Sequence, residues 1–390
     1  MRRFYSGSDL QRIQSVAEMA NKARKQLPDF AWEYLAGGAE DELTLNANRG
    51  AFEALKLHSK TLVGNPEVDL SVDLMGVPSK LPLAIGPSGF NGMLWPQADI
   101  ELAKAAAARG IPFTLSTVSN ASLEQVRAAC PDLELWFQLY ALKDADIQRD
   151  LLARARAAGV STLIVTSDAL VVGNREWDRR NFRAPRKLTF GNQLNVLMHP
   201  RWLARVMVPN GLPTMGNLNP YLPVDQRSAL GAMKFIADQL DVGLDWLALA
   251  MLRQQWSGKL ILKGVLHEDD ALRAMEFGLD GIVISNHGGR QLDGALSSLE
   301  ALQRIAPVLN GSMPLLLDSG VRRGTDVIKA MALGADGVLL GRATLFGVSA
   351  AGEAGVTRVL SLLEEELQRG LNLMGVASLA KLDPQWLVYE

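Results

Sequence analysis

Residues 281–342, GIVISNHGGRQLDGALSSLEALQRIAPVLNGSMPLLLDSGVRRGTDVIKAMALGADGVLLGR, decide the fold. Three short apolar runs, Gly281–Ser285, Leu315–Asp318 and Gly337–Leu340, are separated by two amphipathic stretches, Leu299–Leu309 and Gly324–Leu333. Runs without polar alternation are strands buried on both faces, and such strands belong to parallel sheets covered by helices. Each amphipathic stretch ends near a glycine that can cap it.

The same alternation continues toward the N-terminus. Candidate strands Leu81–Ile85, Pro112–Ser116, Leu135–Leu139, Thr162–Thr166 and Leu260–Lys263 are interleaved with the helical patterns Asp99–Arg109, Leu123–Ala129, Ala145–Ala158 and Glu268–Phe277. Eight strands in strand–helix repetition predict an α/β chain of the (β/α)8 TIM barrel type. A doubly wound open sheet would carry a Gly-rich dinucleotide turn after its first strand, and none with the required strand, helix and acidic residue occurs. Residues 1–75 read as an N-terminal helical segment packing on the barrel, with a turn at Gly37-Gly38 and a charged step at Glu40-Asp41-Glu42, and residues 76–380 as the barrel domain.

One interval breaks the rhythm. Between Asp168 and Leu260 lie about ninety residues, more than one loop and helix need, which predicts a long insert after strand four. Within it, Asn174–Leu222 holds eight Arg or Lys against two acids, together with the apolar series Leu194, Val196, Leu197, Met198, Trp202, Leu203, Val206, Met207 and Val208. A basic amphipathic segment suits a membrane interface, a lid or a subunit contact.

Composition narrows the function classes. A net charge of -2 with 21% charged residues gives no footprint for nucleic acid, so none is expected as a partner. The single cysteine, Cys130, excludes an internal disulfide and a thiolate metal cluster, and no metal site is expected. The basic start Met1-Arg2-Arg3 leads into polar residues, so no export signal is expected. No apolar run reaches the ~18 residues of a spanning helix, so any membrane association is expected to be peripheral.

Barrel chemistry sits at the C-terminal strand ends, where the loops converge. Polar residues gather there: Pro87-Ser88-Gly89 after strand one, Ser116-Thr117 after two, Gln138 and Tyr140 at three, Thr166 and Asp168 at four. Lys263 ends five, Ser285-Asn286-His287-Gly288-Gly289-Arg290 follows six, Asp318 to Gly324 follows seven, and Gly341-Arg342 follows eight. The last two clusters suggest a phosphate site, with glycine N–H groups beside helix N-termini and Arg322 and Arg342 to balance a dianion; solvated loop arginines are the bland alternative. His287 can take a proton near neutral pH, and Arg290 can grip a carboxylate with two parallel bonds. Asp168 could cap a helix or stabilise an imidazolium on His287. Lys263 at the end of an apolar strand needs a counter-charge or a function, one candidate being a cofactor that becomes anionic on reduction. Trp95, Trp136 and Trp256 read as packing.

With these residues laid out, the sequence is similar to the FMN-dependent L-2-hydroxy-acid oxidase and dehydrogenase family. The motif Ser285-Asn286-His287-Gly288-Gly289-Arg290-Gln291-Leu292-Asp293 carries the resemblance most specifically. It is supported by Tyr34-Leu35-Ala36-Gly37-Gly38-Ala39-Glu40-Asp41, Trp136-Phe137-Gln138-Leu139-Tyr140, Asp318-Ser319-Gly320-Val321-Arg322-Arg323-Gly324 and Leu340-Gly341-Arg342. The resemblance implies that His287 removes the α-hydrogen as a proton or assists hydride loss, with Asp168 stabilising the imidazolium. It implies that Arg290 and Arg175 bind the substrate carboxylate, with Tyr34 bonded to it and Tyr140 near the hydroxyl. Lys263 would face the flavin ring. Pro87, Ser88, Gly89, Ser116, Gln138, Thr166 and Ser285 would surround the ring and ribityl chain, and Asp318, Gly320, Arg322, Gly341 and Arg342 would hold the ribityl end and phosphate.

Within that family the segment Gly86–Pro96 resembles the bacterial (S)-mandelate-oxidising branch, and His199-Pro200-Arg201-Trp202 in the insert resembles membrane-bound mandelate and lactate dehydrogenases alike. That resemblance implies oxidation of (S)-mandelate to benzoylformate, a quinone acceptor, a peripheral membrane contact through 174–222 at the cytoplasmic face of the inner membrane, and a homotetramer. Two departures stand out: Ala169-Leu170 where lactate and glycolate enzymes carry a proline, and Ser319 in place of a frequent glycine. Val118, smaller than the tryptophan of plant oxidases, leaves room for a phenyl ring. The alternatives are an L-lactate dehydrogenase of the same mechanism, a hydrogen-peroxide-forming oxidase, and a barrel that binds a phosphorylated ligand without redox chemistry.

Overall fold

Eight parallel strands close into a barrel: β1 Leu83–Ile85, β2 Phe113–Ser116, β3 Leu135–Leu139, β4 Thr162–Thr166, β5 Lys259–Val265, β6 Gly281–Ile284, β7 Leu315–Leu317 and β8 Gly337–Leu340, with β8 pairing back onto β1. The computed structural model describes residues 4–64, 67–183, 187–211 and 213–388; the basic start Arg2-Arg3 and Arg186 of the insert lie outside the described residues. Every strand expected from the sequence is present. Pro112 stays outside β2 because it has no N–H, although its carbonyl still accepts from Ile85. β5 is longer than expected and carries a bulge, its register against β6 jumping between Lys263 and Val265.

The barrel interior is solid. Ala84, Trp136, Ile164, Ile261, Val283, Leu316 and Leu339, one from each of seven strands, point inward and pack on Leu74 and Met75, which plug the N-terminal end. The alternate positions of the same strands face the helical shell. With the centre filled, only the C-terminal mouth is left for a ligand.

Three N-terminal helices, α1 Val16–Arg24, α2 Asp29–Ala36 and α3 Leu43–Ala54, lie against the barrel. The turn expected at Gly37-Gly38 divides α2 from α3 and does not end the helical region. It is held in an unusual backbone, with Glu40 at φ +45° and Glu42 at φ +62°, by Ala39 N donating to Gly289 O and Glu40 N to Asn174 O. The first amides of α3, Leu43 N and Thr44 N, are capped by the carboxylate of Asp293 from the loop after β6. Two helices after the last strands complete the frame: α4 Gly324–Ala332 and α5 Arg342–Met374, the latter broken at Ala351–Gly352.

The insert between β4 and β5 contains a small hairpin (Phe182–Arg183 with Lys187–Leu188), the helix Phe190–Leu197, a π-helical turn Leu203–Met207 and two further helices, Ala229–Gln239 and Trp246–Gln255. Its apolar series is split between two faces. Trp202 and Val206 are buried, the Trp202 indole donating to Met93 O, and Arg205 stacks 3.9 Å from the Trp95 ring centre. Phe190, Leu194, Leu197, Met198 and Val208 are exposed. No helix among the described residues is long and apolar enough to cross a membrane.

Candidate active site

At the barrel mouth a cavity open to solvent is lined by Tyr34 and Leu35 of α2, the Pro87-Ser88-Gly89 loop, Lys263, His287, Gly288, Arg290, the loop from Asp318 to Arg322, Leu339, Gly341, Arg342 and Leu345. Twelve of the residues expected at the site line it: Tyr34, Pro87, Ser88, Gly89, Lys263, His287, Arg290, Asp318, Gly320, Arg322, Gly341 and Arg342. Asp168 and Ser285 stand directly behind this wall. Ser116, Gln138 and Thr166 sit at the ends of adjoining strands, and Tyr140 and Arg175, which do not line the cavity, are electrostatically coupled to one another and to Tyr34.

His287 occupies a left-handed backbone conformation, φ +58°, at the head of the turn after β6. The turn is fixed from three sides. His287 N donates to Ser285 Oγ, Gly288 N to Ser319 Oγ at 2.9 Å, and Gly289 N to the buried Asn286 Oδ1. The Asn286 carboxamide exchanges two hydrogen bonds of 2.8 and 2.9 Å with that of Asn48 on α3. The imidazole Nδ1 faces Asp168 Oδ1 at 2.9 Å, so Nε2 is the nitrogen open to the cavity. The Asp168 carboxylate thus bonds the imidazole, and no helix among the described residues is capped by it. Burial pushes its carboxyl up, but the neighbouring His287 and Lys263 outweigh this and hold it below the usual aspartate range.

Lys263 is buried, its side chain 4% exposed, and lies 3.0 Å from Asp318 Oδ2 and 2.9 Å from Ser285 Oγ. Ser285 Oγ in turn donates to Asp318 Oδ2 at 2.7 Å. Burial pulls the ammonium's pKa down, yet the Asp318 and Asp168 carboxylates raise it on balance, so Lys263 is a fixed cation at the cavity floor. Tyr140 is pushed up to about 12 by burial and by Asp168, and Tyr34 is raised by burial, so both stay protonated at neutral pH. The Tyr34 hydroxyl donates to Gly89 O at 3.0 Å. Arg290 Nη1 donates to the Tyr34 and Gly37 carbonyls, and burial with neighbouring Arg175 pulls its pKa down to about 10. Arg175 makes no side-chain hydrogen bond among the described residues.

The cavity is electrically incomplete. Lys263, Arg290, Arg322 and Arg342 line it against one carboxylate, Asp318. Arg322 is half-buried with the Val321 carbonyl as its one side-chain acceptor among the described residues, and desolvation and Arg49 bring its pKa down to about 10. Arg342 donates to the Leu35, Gly37 and Gly288 carbonyls and is lowered strongly by burial and by Arg290. The amides at the start of α4 are already taken, Arg322 N and Arg323 N by Asp326 and Gly324 N by Glu366. By contrast α5 begins at Gly341 with no side-chain cap, and a Cβ on Gly341 would meet nothing within 4 Å. An anion is thus best received at the head of α5, a narrower site than both helix starts together. In the floor, Gln138 Oε1 accepts from Ser116 Oγ at 2.7 Å, while Gln138 Nε2 is buried with no partner among the described residues. A phosphate at α5 and a polar ring over Gln138 and Lys263 would satisfy these groups, so the residues present fit FMN.

Sequence reasoning missed the apolar walls Leu35, Leu339 and Leu345, which only the fold turns toward the cavity, and the bracing pair Asn48 and Asn286. Ser319, noted only as a departure, supports the His287 turn.

Comparison with known proteins agrees with this geometry. The family model described as FMN-dependent dehydrogenase matches residues 23–389. The chain is 40% identical to (S)-mandelate dehydrogenase of Pseudomonas putida over 383 residues, 97% of this chain and 95% of that protein. It is 39% identical to L-lactate dehydrogenase of Alcaligenes faecalis over 382 residues, 97% of this chain and 99% of that one. Among solved structures it superposes on the monotopic membrane protein (S)-mandelate dehydrogenase with a TM-score of 0.92 at 40% identity, covering 97% of this chain and 100% of that chain. It superposes on mandelate oxidase with a TM-score of 0.82 at 33% identity, covering 97% and 99%. A cation-rich mouth on a closed parallel barrel, matched over nearly its whole length by these proteins, means that the chain belongs to the FMN-dependent 2-hydroxy-acid dehydrogenase family, whose cofactor is FMN.

Proposed function

We propose that the protein oxidises (S)-mandelate to benzoylformate. The observation that carries the choice of substrate is the apolar edge beside Tyr34: Phe90 packs edge-on at 6.2 Å, and Val118 lies against Gly89, so a phenyl group meets carbon there. The curated relatives include mandelate and lactate dehydrogenases at equal identity, so L-lactate is the second reading.

Bound FMN supplies the two-electron oxidation. His287 Nε2 receives the proton that leaves the substrate, and Asp168 on Nδ1 keeps the imidazole oriented and stabilises its charge. Arg290 and Arg175 bind the carboxylate with help from the Tyr34 hydroxyl, while Tyr140 donates to the substrate oxygen. Lys263 would hold positive charge beside the flavin ring. Pro87, Ser88, Gly89, Ser116, Gln138, Thr166 and Ser285 would surround the ring, and Asp318, Gly320, Arg322, Gly341 and Arg342 would take the ribityl end and phosphate. Anaerobic mixing of the yellow protein with (S)-mandelate, (R)-mandelate, L-lactate and glycolate tests the reading: rapid bleaching by (S)-mandelate supports it, and preference for L-lactate overturns the substrate. Oxygen consumption separates a dehydrogenase from an oxidase.

The same proposal divides the chain into a helical segment 1–75, an FMN barrel 76–380 and a membrane-contact insert 174–222. Exposed Phe190, Leu194, Leu197, Met198 and Val208 beside exposed Arg183, Lys187 and Arg201 support a peripheral contact at the cytoplasmic face of the inner membrane, with a quinone as acceptor. Flotation with anionic vesicles, before and after replacing the insert by a short polar linker, tests the contact; undiminished flotation of the shortened chain rejects it. Light scattering tests the homotetramer.

A further inference from the structure

The turn that carries His287 holds the opposite loop twice. Its first hold is the imidazole on Asp168. Its second is Gln291, whose Nε2 donates to Asp168 O at 2.8 Å and Val171 O at 2.7 Å and whose Oε1 accepts from Gly173 N at 3.3 Å. Both ends of one carboxamide are thereby spent on the stretch 168–173. That stretch has no helix or strand of its own, and its Val171 and Val172 are 72% and 58% exposed, so side-chain packing does little to fix it. Gly173 lies flat on the turn; a Cβ there would sit 2.3 Å from Arg290 O. The Asp168 carboxylate has one hydrogen-bonded oxygen, Oδ1 on His287, while Oδ2 is buried without a partner among the described residues. Its aim therefore depends on where the backbone of residue 168 is held.

We propose that Gln291 is the positioning residue of the acid–base pair: it fixes the Asp168 backbone so that the carboxylate meets His287, and through Gly173 it sets the start of the segment bearing Arg175. The inference rests on the reading of His287 and Asp168 given above. Only a carboxamide serves here, because two carbonyls require a donor and one amide requires an acceptor; a carboxylate supplies only the second.

The test is a double-mutant cycle on the FMN-loaded full chain: Gln291→Leu, Asp168→Asn and the two combined, with the anaerobic flavin-reduction rate constant and the substrate dissociation constant measured by stopped flow. A displacement near 1 Å at a reacting group costs up to about 100-fold, so Gln291→Leu is expected to slow reduction by about 10- to 100-fold with FMN content unchanged. In the Asp168→Asn background its effect on the reduction rate should shrink to less than about 3-fold, because the carboxylate it aims is gone, while its hold on the Arg175 segment through Gly173 is read in the dissociation constant. Equal fold losses in both backgrounds overturn the proposal, as does an unchanged rate in Gln291→Leu. An unchanged rate in Asp168→Asn alone overturns the underlying acid–base reading instead. If Gln291→Leu does not fold, Gln291→Glu, which keeps the acceptor for Gly173 and loses both donors, goes through the same cycle with the same outcomes.

Discussion

Replacing Gly264 with alanine should slow flavin reduction without emptying the cofactor site. Gly264 forms the bulge of β5 at φ +107°, where a Cβ would lie 2.6 Å from Asp168 Cβ and 2.8 Å from its Cγ. Carbon atoms rest at about 3.5 Å, so Asp168 must withdraw by close to 1 Å or change rotamer. Either response breaks or misaims a 2.9 Å bond to His287 Nδ1. A hydrogen bond to a charged group contributes about 1.5–3 kcal/mol, and at 1.36 kcal/mol per decade its loss in the transition state slows reduction by about 10- to 150-fold. The left-handed backbone adds a folding cost of about 1–3 kcal/mol for a residue with a Cβ. Stopped-flow bleaching by (S)-mandelate under anaerobic conditions reads the first effect, and urea unfolding reads the second. The substrate dissociation constant should change little, because Arg290 and Arg175 do not touch Gly264. A reduction rate within about twofold of the parent would refute the claim that the missing side chain sets the dyad, since that is less than ~0.5 kcal/mol.

Other outcomes follow from the same geometry. Lys263→Met leaves the half-buried Asp318 without its cation, so urea unfolding should show a loss smaller than the ~3–5 kcal/mol of a fully buried pair, and flavin reduction should slow as well. Asp318 and Asp168 are both held below the usual carboxylate range in the folded protein, so their stabilising contribution is complete above the unfolded aspartate value of about 3.9 and is lost as pH falls through the lower folded values. Thermal midpoints measured from pH 7 downward should therefore drop steeply below about pH 4, and Asp318→Asn should flatten that limb. Gly89→Ala puts a Cβ 2.4 Å from Val118 Cγ2, an overpacking of about 1–3 kcal/mol, so KM for (S)-mandelate should rise more than KM for L-lactate; equal changes would remove Val118 from the ring site.

The barrel was legible in the sequence because strands buried on both faces need no polar alternation: each of the eight runs stands out against amphipathic helices. The residues at the strand ends were legible for the same reason, since a lysine or histidine closing an apolar run calls for an explanation. What escaped was of two kinds. Gln291 and Asn48 act through backbone groups or amides some 120 and 240 residues away in sequence, and a neutral side chain carries no local signal of such a partner. Inside the insert, Trp202 and Val206 turn inward while Leu197 and Met198 turn outward, because one helix ends at Leu197 and another starts at Pro200, and that break resets the period that would have assigned their faces. The proposed phosphate site was half legible: two glycine–arginine pairs pointed to two helix starts, but Asp326 and Glu366 occupy the amides of one of them.

The amide pair between Asn48 and Asn286 has a consequence for how this protein answers its surroundings. Neither carboxamide ionises, and neither carries a charge that salt can screen, so the brace beneath the His287 turn keeps the same strength from acid to alkali and from dilute buffer to molar salt. Dependence of turnover on pH or ionic strength therefore enters through charged groups elsewhere, such as those lining the mouth and the Asp293 carboxylate that caps α3, and not through this amide pair.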